Sequence, residues 1–225
     1  ISYSGNTEET LSGISDAKVN NFDWIVISSG GKLIDMAKNE GKEYIKIPNG
    51  LQPRAAFGYL TLAVLKIIDI VEGSNYVSQL NDVSLYIDKL SDKGDESDIN
   101  KLSIDICESI NKKTVIIYSG TDMSRVVSSR WKTQINENAK SKAFVGHLPE
   151  IHHNEILSWD ADKEGSKNNY VVIFIRDQNE HAQIRKRFEL TKNLIGEKVD
   201  ITEVNLPNQE SCLLYTSPSP RDLYR

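Results

Sequence analysis

The first ten residues, ISYSGNTEET, set hydroxyls at Ser2, Ser4 and Thr7 around Gly5, and Glu8 and Glu9 follow where a helical pattern begins. Serine, glycine and threonine gathered where a strand hands over to a helix are what an anion site needs. The free N–H groups of a first helical turn point outward, the helix dipole favours negative charge there, and short hydroxyl side chains add donors without blocking a phosphate. The same residues admit a plainer role, in which Thr7 only N-caps the helix and the two acids complement its first turn. A second cluster lies in QINENAKSKAFVGHLPEIHHNEILSW, where Glu137 precedes His147, His152, His153 and Glu155. A carboxylate and a neutral imidazole beside a phosphate loop suit proton transfer near neutral pH. The H-x4-HH spacing is not a recognised zinc pattern and brings no thiolate, so metal is the weaker reading. A structural role, with Glu137 serving a helix end and the histidines lining a loop, stays open. Arg54 opens a very apolar helix, where a cation opposes the dipole unless an anion is close. A solvated arginine at a helix end is the other reading.

The elements that must carry these residues alternate. Residues 1–5 read as the end of a strand, Glu8 to Val19 as a helix, and WIVISSGG (Trp24 to Gly31) as an apolar strand ending in a second Ser/Gly turn. Lys32 to Glu40 is helical with Gly41 as its stop, and Tyr44 to Ile47 is a third strand closed by Pro48. Strand, helix, strand, helix, strand predicts an α/β fold with parallel sheets, whose ligands bind at the carboxyl edge of the strands. Pro53-Arg54-Ala55-Ala56 opens a long helix to about Val71. The stretch from Tyr76 to Lys112 is helical and charged, with KLSDKGDESD (Lys89 to Asp98) as its turn, and Cys107 is a small core residue. Thr114 to Gly120 starts a second α/β unit with a helix from Asp122 to about Lys140. Strands follow at Lys142 to Gly146, Tyr170 to Arg176 and Val199 to Val204, with a helix over Glu180 to Leu194. The turns Tyr3-Ser4-Gly5 and Tyr118-Ser119-Gly120 hint at two related halves.

With 225 residues the chain can bury a real core, and no apolar run approaches the roughly 18 residues a membrane helix needs. A net charge of −5 with dispersed basic residues argues against nucleic acid as a partner. Two cysteines, Cys107 and Cys212, lie far apart, which suits a reducing cytoplasm. The chain starts with Ile1 inside what reads as a strand end, so upstream sequence is expected to be missing. CLLYTSPSPRD, from Cys212 to Asp222, changes composition abruptly and reads like a translated sequencing adapter. Residues 211–225 are therefore set aside from fold reasoning.

Taken together in this order, SYSGNTEET, SSGG, PRAA, WKTQINENAK and LPEIHHNEI resemble the bifunctional phosphoglucose/phosphomannose isomerases, part of the wider group of sugar isomerase (SIS) domain proteins. SYSGNT alone would mark only some SIS domain, whereas NENAK followed by HNEI is more specific. The resemblance covers residues 1 to about 210. It implies two SIS-type three-layer α/β/α domains with parallel sheets: residues 1–75 as the later part of a first domain, incomplete at its N-terminus, 76–112 as a helical connector, and 113–210 as a second domain lacking its C-terminal part. It implies that glucose 6-phosphate, with mannose 6-phosphate as a further candidate substrate, is interconverted with fructose 6-phosphate through an enediolate, without cofactor or metal. Ser2, Ser4 and Thr7 match the family's phosphate-loop hydroxyls, and Ser28 and Ser29 shape the pocket. Arg54 matches the arginine that steadies the enediolate, Glu137 the base between C2 and C1, and His153 the residue assisting ring opening. In the family that histidine reaches the site from the neighbouring subunit, so a homodimer is implied. Partial burial would tune Glu137 for its task. An upstream Gly-Ser-rich segment and a C-terminal helix with an acid–base lysine have no counterpart here, so little activity is expected of this chain alone. A non-catalytic SIS sugar-phosphate sensor would keep the hydroxyl loops without needing Glu137 or His153. An amino-sugar phosphate isomerase would leave NENAK and HNEI unexplained.

Overall fold

The computed structural model describes residues 1–91, 98–120, 122–161 and 163–206. The chain divides into two compact units, Ile1–Asp82 and Val83–Arg225.

In the first unit, helix α1 spans Glu8–Val19, strand β1 Val26–Ser28, helix α2 Gly31–Asn39, strand β2 Tyr44–Lys46 and helix α3 Phe57–Glu72. β1 and β2 pair in parallel, with Val26 opposite Tyr44 and Ser28 opposite Lys46. A helix must make the crossover between parallel neighbours, and α2 does so. β1 is buried along its whole length, and its alternating residues supply two cores. Val26 packs with Ile14 of α1 and with Leu33, Ile34 and Ala37 of α2, while Ile27 packs with Ile47 and with Ala63 of α3.

Two expectations are corrected here. Residues 1–5 form no strand. Ser2 N–H donates to Ile27 O at 3.2 Å and Ser29 N–H to Tyr3 O at 2.9 Å, so the segment runs beside β1. It then turns at once at Gly5, whose φ of +70° leaves too little extended chain for a ladder. The helix expected from Pro53 is also divided. Pro53–Ala55 is a separate 3-10 turn, and Ala56, at φ −87° and ψ 6°, closes it before α3 starts at Phe57. Arg54 therefore lies in the tight turn and not in the first turn of α3.

Helix α4 (Tyr76–Ser91) carries the division between the units. Its first N–H groups are met from α3, since Asp69 accepts from Tyr76 N at 2.7 Å and from Val77 N at 2.9 Å. Residues 92–97 of the turn expected between Lys89 and Asp98 lie outside the described residues, as do Cys212 and the rest of the tail expected to be foreign.

The second unit continues with α5 (Asp98–Ile110), β3 (Thr114–Ser119) and α6 (Asp122–Gln134), which runs directly into a π-helical turn over Ile135–Ala139. β4 (Ala143–His147), the four-residue helix α7 (Ile151–Asn154) and a 3-10 turn (Ile156–Asp160) follow. Then come α8 (Lys163–Asn169), β5 (Tyr170–Arg176), α9 (Ala182–Ile195) and β6 (Asp200–Asn205). The strand order is β4-β3-β5-β6, all parallel, so every carboxyl end meets one edge. Alternate residues again separate two cores. Val115 and Ile117 of β3 and Val171, Ile173 and Ile175 of β5 face α5 and α6. Tyr118 of β3 and Val172 and Phe174 of β5 face α7, the following 3-10 turn and α9. β5 ends at Arg176, only 9% exposed. Its guanidinium lies 4.4 Å from the centre of the Phe188 ring and pairs with Glu180, Glu189 and Glu203.

Candidate functional site

Two Ser/Gly turns interlock at the carboxyl end of β1. Ser28 Oγ donates to Gly30 O at 2.8 Å, Ser29 Oγ donates to Tyr3 O at 2.6 Å, and Lys32 N–H donates to Asn6 Oδ1 at 3.0 Å. Gly5 and Gly31 make the approach possible. Both have positive φ, and a Cβ on Gly5 would stand 1.9 Å from Gly30 O while one on Gly31 would stand 2.3 Å from Ser4 O. Ser28 and Ser29 thus brace the first turn from behind.

Thr7 occupies the N-cap position of α1, yet its side chain caps nothing. Its hydroxyl instead lies 3.0 Å from Ser2 Oγ and 2.7 Å from Thr10 Oγ1. Ser2, 8% exposed, accepts from Gly5 N at 3.3 Å, and exposed Ser4 accepts from Asn6 N at 3.3 Å. The first-turn N–H groups of α1 are therefore left uncapped by Thr7 beside a cluster of hydroxyls, the arrangement an anion can use. Tyr3 ties this loop to the chain leading to Arg54: its hydroxyl donates to Pro48 O at 3.2 Å and accepts from Leu51 N at 2.8 Å. Arg54 itself is half-buried.

Glu137 and His153 belong to the second unit. Glu137 is exposed on the π-helical turn, so the partial burial expected for it is absent. The turn is fixed next to it, where Asn136 Oδ1 accepts from Ala143 N at 2.8 Å at the start of β4. Arg130, one helix face back, is half-buried; burial pulls its guanidinium below its ordinary value, and the Glu137 carboxylate opposes that shift. His153 is exposed on α7, and no described bond joins it to Glu137.

The three clustered histidines diverge. His147 Nδ1 lies 2.8 Å from Ser119 Oγ. His152 is held between Arg187 Nη1 at 3.0 Å and Thr191 Oγ1 at 2.8 Å, and only His153 reaches solvent freely. Among the described residues no group of three or more His, Cys, Asp or Glu side chains could hold a metal ion. The sequence named Tyr118 and Glu155 within their motifs but assigned neither a role. The Tyr118 hydroxyl, fully buried, donates to the Glu155 carboxylate and accepts from Trp159 Nε1 at 3.0 Å. Burial first, and then Glu155, hold the Tyr118 hydroxyl far above the ordinary phenol range. The only sequence signal was that Glu155 is the acid of HNEI.

Residues 99–215 match the family described as bacterial phospho-glucose isomerase C-terminal SIS domain, which is just over half of the chain. The bifunctional phosphoglucose/phosphomannose isomerase of Aquifex aeolicus is 34% identical over 195 residues, 87% of this chain and 57% of that protein. The chain belongs to the bifunctional phosphoglucose/phosphomannose isomerase family. The D-glucosamine-6-phosphate 4-epimerase of Sulfolobus acidocaldarius is 36% identical over 176 residues, 78% of this chain and 54% of that protein. The crystal structure of glucosamine-6-phosphate deaminase from Thermotoga maritima superposes with a TM-score of 0.63 at 16% identity, over 99% of this chain and 66% of that one. The chain thus has the SIS-type α/β fold with parallel sheets, and it spans a little over half the length of these curated relatives. No helix among the described residues is long and apolar enough to cross a membrane.

Proposed function

We propose that this chain supplies the machinery of an aldose–ketose isomerase that interconverts glucose 6-phosphate, and mannose 6-phosphate, with fructose 6-phosphate. The observation that carries this reading is Thr7. Its hydroxyl turns from its own helix toward Ser2, leaving the first-turn N–H groups of α1 without a side-chain cap next to a cluster of hydroxyls. Ser2, Ser4 and Thr7 would hold the phosphate, and that remote grip would orient the reacting carbons. Glu137 would move the proton between C2 and C1, and Arg54 would steady the oxyanion that develops as it moves. His153, exposed on α7, would assist ring opening at the site of a neighbouring subunit in a homodimer. The chain would then hold the later part of one SIS domain (residues 1–75), a connector (76–112) and a second SIS domain (113–210), in a cytoplasmic enzyme working without cofactor or metal.

Substituting Glu137→Gln in the complete product of the gene tests the reading. Isomerisation is expected to vanish while sugar-phosphate binding stays nearly intact, and unchanged turnover would remove Glu137 from its role. A second reading, another SIS enzyme such as an amino-sugar phosphate isomerase, is favoured by the 36% identity to the glucosamine-6-phosphate epimerase. Turnover of glucosamine 6-phosphate in place of glucose 6-phosphate would select it.

A further inference from the structure

We propose that His152 and Glu155 are positioning residues that fix the direction in which His153 is presented. The proposal rests on the reading of His153 given above. Helix α7 has four residues, far fewer than a helix needs to hold itself together in water. Its internal bonds are single ones, such as His153 N–H to Glu150 O at 2.9 Å and Glu155 N–H to Ile151 O at 3.0 Å. Something else must hold it.

One anchor is His152. An arginine only donates, so Arg187 Nη1 requires a lone pair on His152 Nδ1, and the ring proton must sit on Nε2. Thr191 Oγ1 gives its own hydrogen to Arg187 O at 2.7 Å, which leaves its oxygen free to accept from His152 Nε2 at 2.8 Å. The ring proton and the threonine hydrogen each have one place, and the imidazole is pinned at both ends to α9. The other anchor is Glu155. Trp159 Nε1 donates to Tyr118 Oη, and the Tyr118 hydroxyl donates to Glu155, so a directed chain runs from the core to the carboxylate. Tyr118 is fully buried and Trp159 is 6% exposed, so neither can follow a displaced partner without opening the core.

Successive helical residues project about 100° apart. With His152 turned in to α9 and Glu155 turned in to β3, His153 and its neighbour Asn154 are left facing out. The direction of His153 is thus set by two side chains that touch no substrate.

The test uses the complete gene product for turnover of cyclic glucose 6-phosphate and the 225-residue chain for amide exchange. His152→Ala and Tyr118→Phe are each expected to lower kcat about tenfold with KM held within about twofold, since a misdirected group costs rate more than binding. Exchange at the His153 and Glu155 amides should rise at least about tenfold while Ile173 in β5 is unchanged, which marks local loosening in an intact fold. His152→Asn, able to keep one of the two bonds, should recover part of the loss. Normal turnover and normal exchange in both variants, beside an impaired His153→Ala, would overturn the positioning alone. A fully active His153→Ala would remove the ring-opening role and the proposal with it.

Discussion

His147 and Ser119 stand opposite each other at the ends of two neighbouring parallel strands, and their side chains meet with Nδ1 2.8 Å from Oγ. Ser128 gives its hydrogen to Arg125 O at 2.9 Å, so Ser119 must donate to Ser128 and His147 must donate from Nδ1 to Ser119. Nε2 of His147 therefore carries the lone pair. In His152 the protons are arranged the other way, with the lone pair on Nδ1 facing Arg187. Protonating His147 leaves its bond to Ser119 in place, whereas protonating His152 sets a new N–H against a guanidinium.

Both histidines titrate below the ordinary value of 6.5, His147 through burial and then Arg125, His152 through burial and then Arg187 and His153. The folded chain favours their neutral forms. Their contribution to stability is accordingly complete above the unfolded value of about 6.5 and is lost as pH falls through the lower folded values. Thermal unfolding followed from pH 8 down to 5 should show the midpoint dropping below about pH 6.5. Replacing His152 with Gln should reduce that drop, and an unchanged slope would exclude His152 as its source.

Thr7→Val keeps the shape of Thr7 and deletes its hydroxyl. Because Thr7 does not cap α1, the usual cost of about 1 kcal/mol for losing an N-cap should not appear. Stability is expected to change by less than about 0.5 kcal/mol, while binding of a sugar phosphate weakens. A full capping loss in chemical denaturation would restore the cap reading of this residue.

Arg176→Ala should cost about 3–5 kcal/mol, because it leaves Glu180, whose side chain is 5% exposed, buried with only the longer 3.8 Å approach of the exposed Arg185 to balance it. Glu189 and Glu203 are more exposed and can turn to water. The double change Arg176→Met with Glu180→Leu should recover much of the loss, since a packed apolar pair needs no compensating charge. Denaturant midpoints at constant m-value would decide between these outcomes.

Gly5→Ala should be far more damaging than an ordinary surface change. The residue sits at φ +70° and its new Cβ would overlap Gly30 O, so a left-handed conformation costing about 1–3 kcal/mol is joined by a backbone collision. Loss of stability together with sugar-phosphate binding is expected. A variant with wild-type melting would show that the turns can part.

Much of this was legible in the chain. α1 from Glu8 to Val19 and β5 from Tyr170 to Arg176 appear where the pattern put them, because acids mark the start of one and an unbroken apolar run marks the other. The misplacements occur where local pattern is overruled. Residues 1–5 have strand composition, but Gly5 turns the chain before a ladder can grow, and Ala56 detaches Arg54 from the helix that its apolar neighbours suggest. The anchors of α7 were illegible for another reason. Glu155 meets Tyr118 across 37 residues of sequence and His152 meets Thr191 across 39, so no window of local periodicity contains both partners. The motif HNEI exposed the residue that points outward and concealed the neighbours that aim it.

The clasp between the first two turns has a consequence for how such a chain can change over generations. Each glycine fills the space that the other turn's carbonyl leaves, so neither loop can gain a side chain or a residue by itself. A change tolerated in one would need its counterpart in the other, and the two segments, 26 positions apart from Gly5 to Gly31, drift as a single heritable piece.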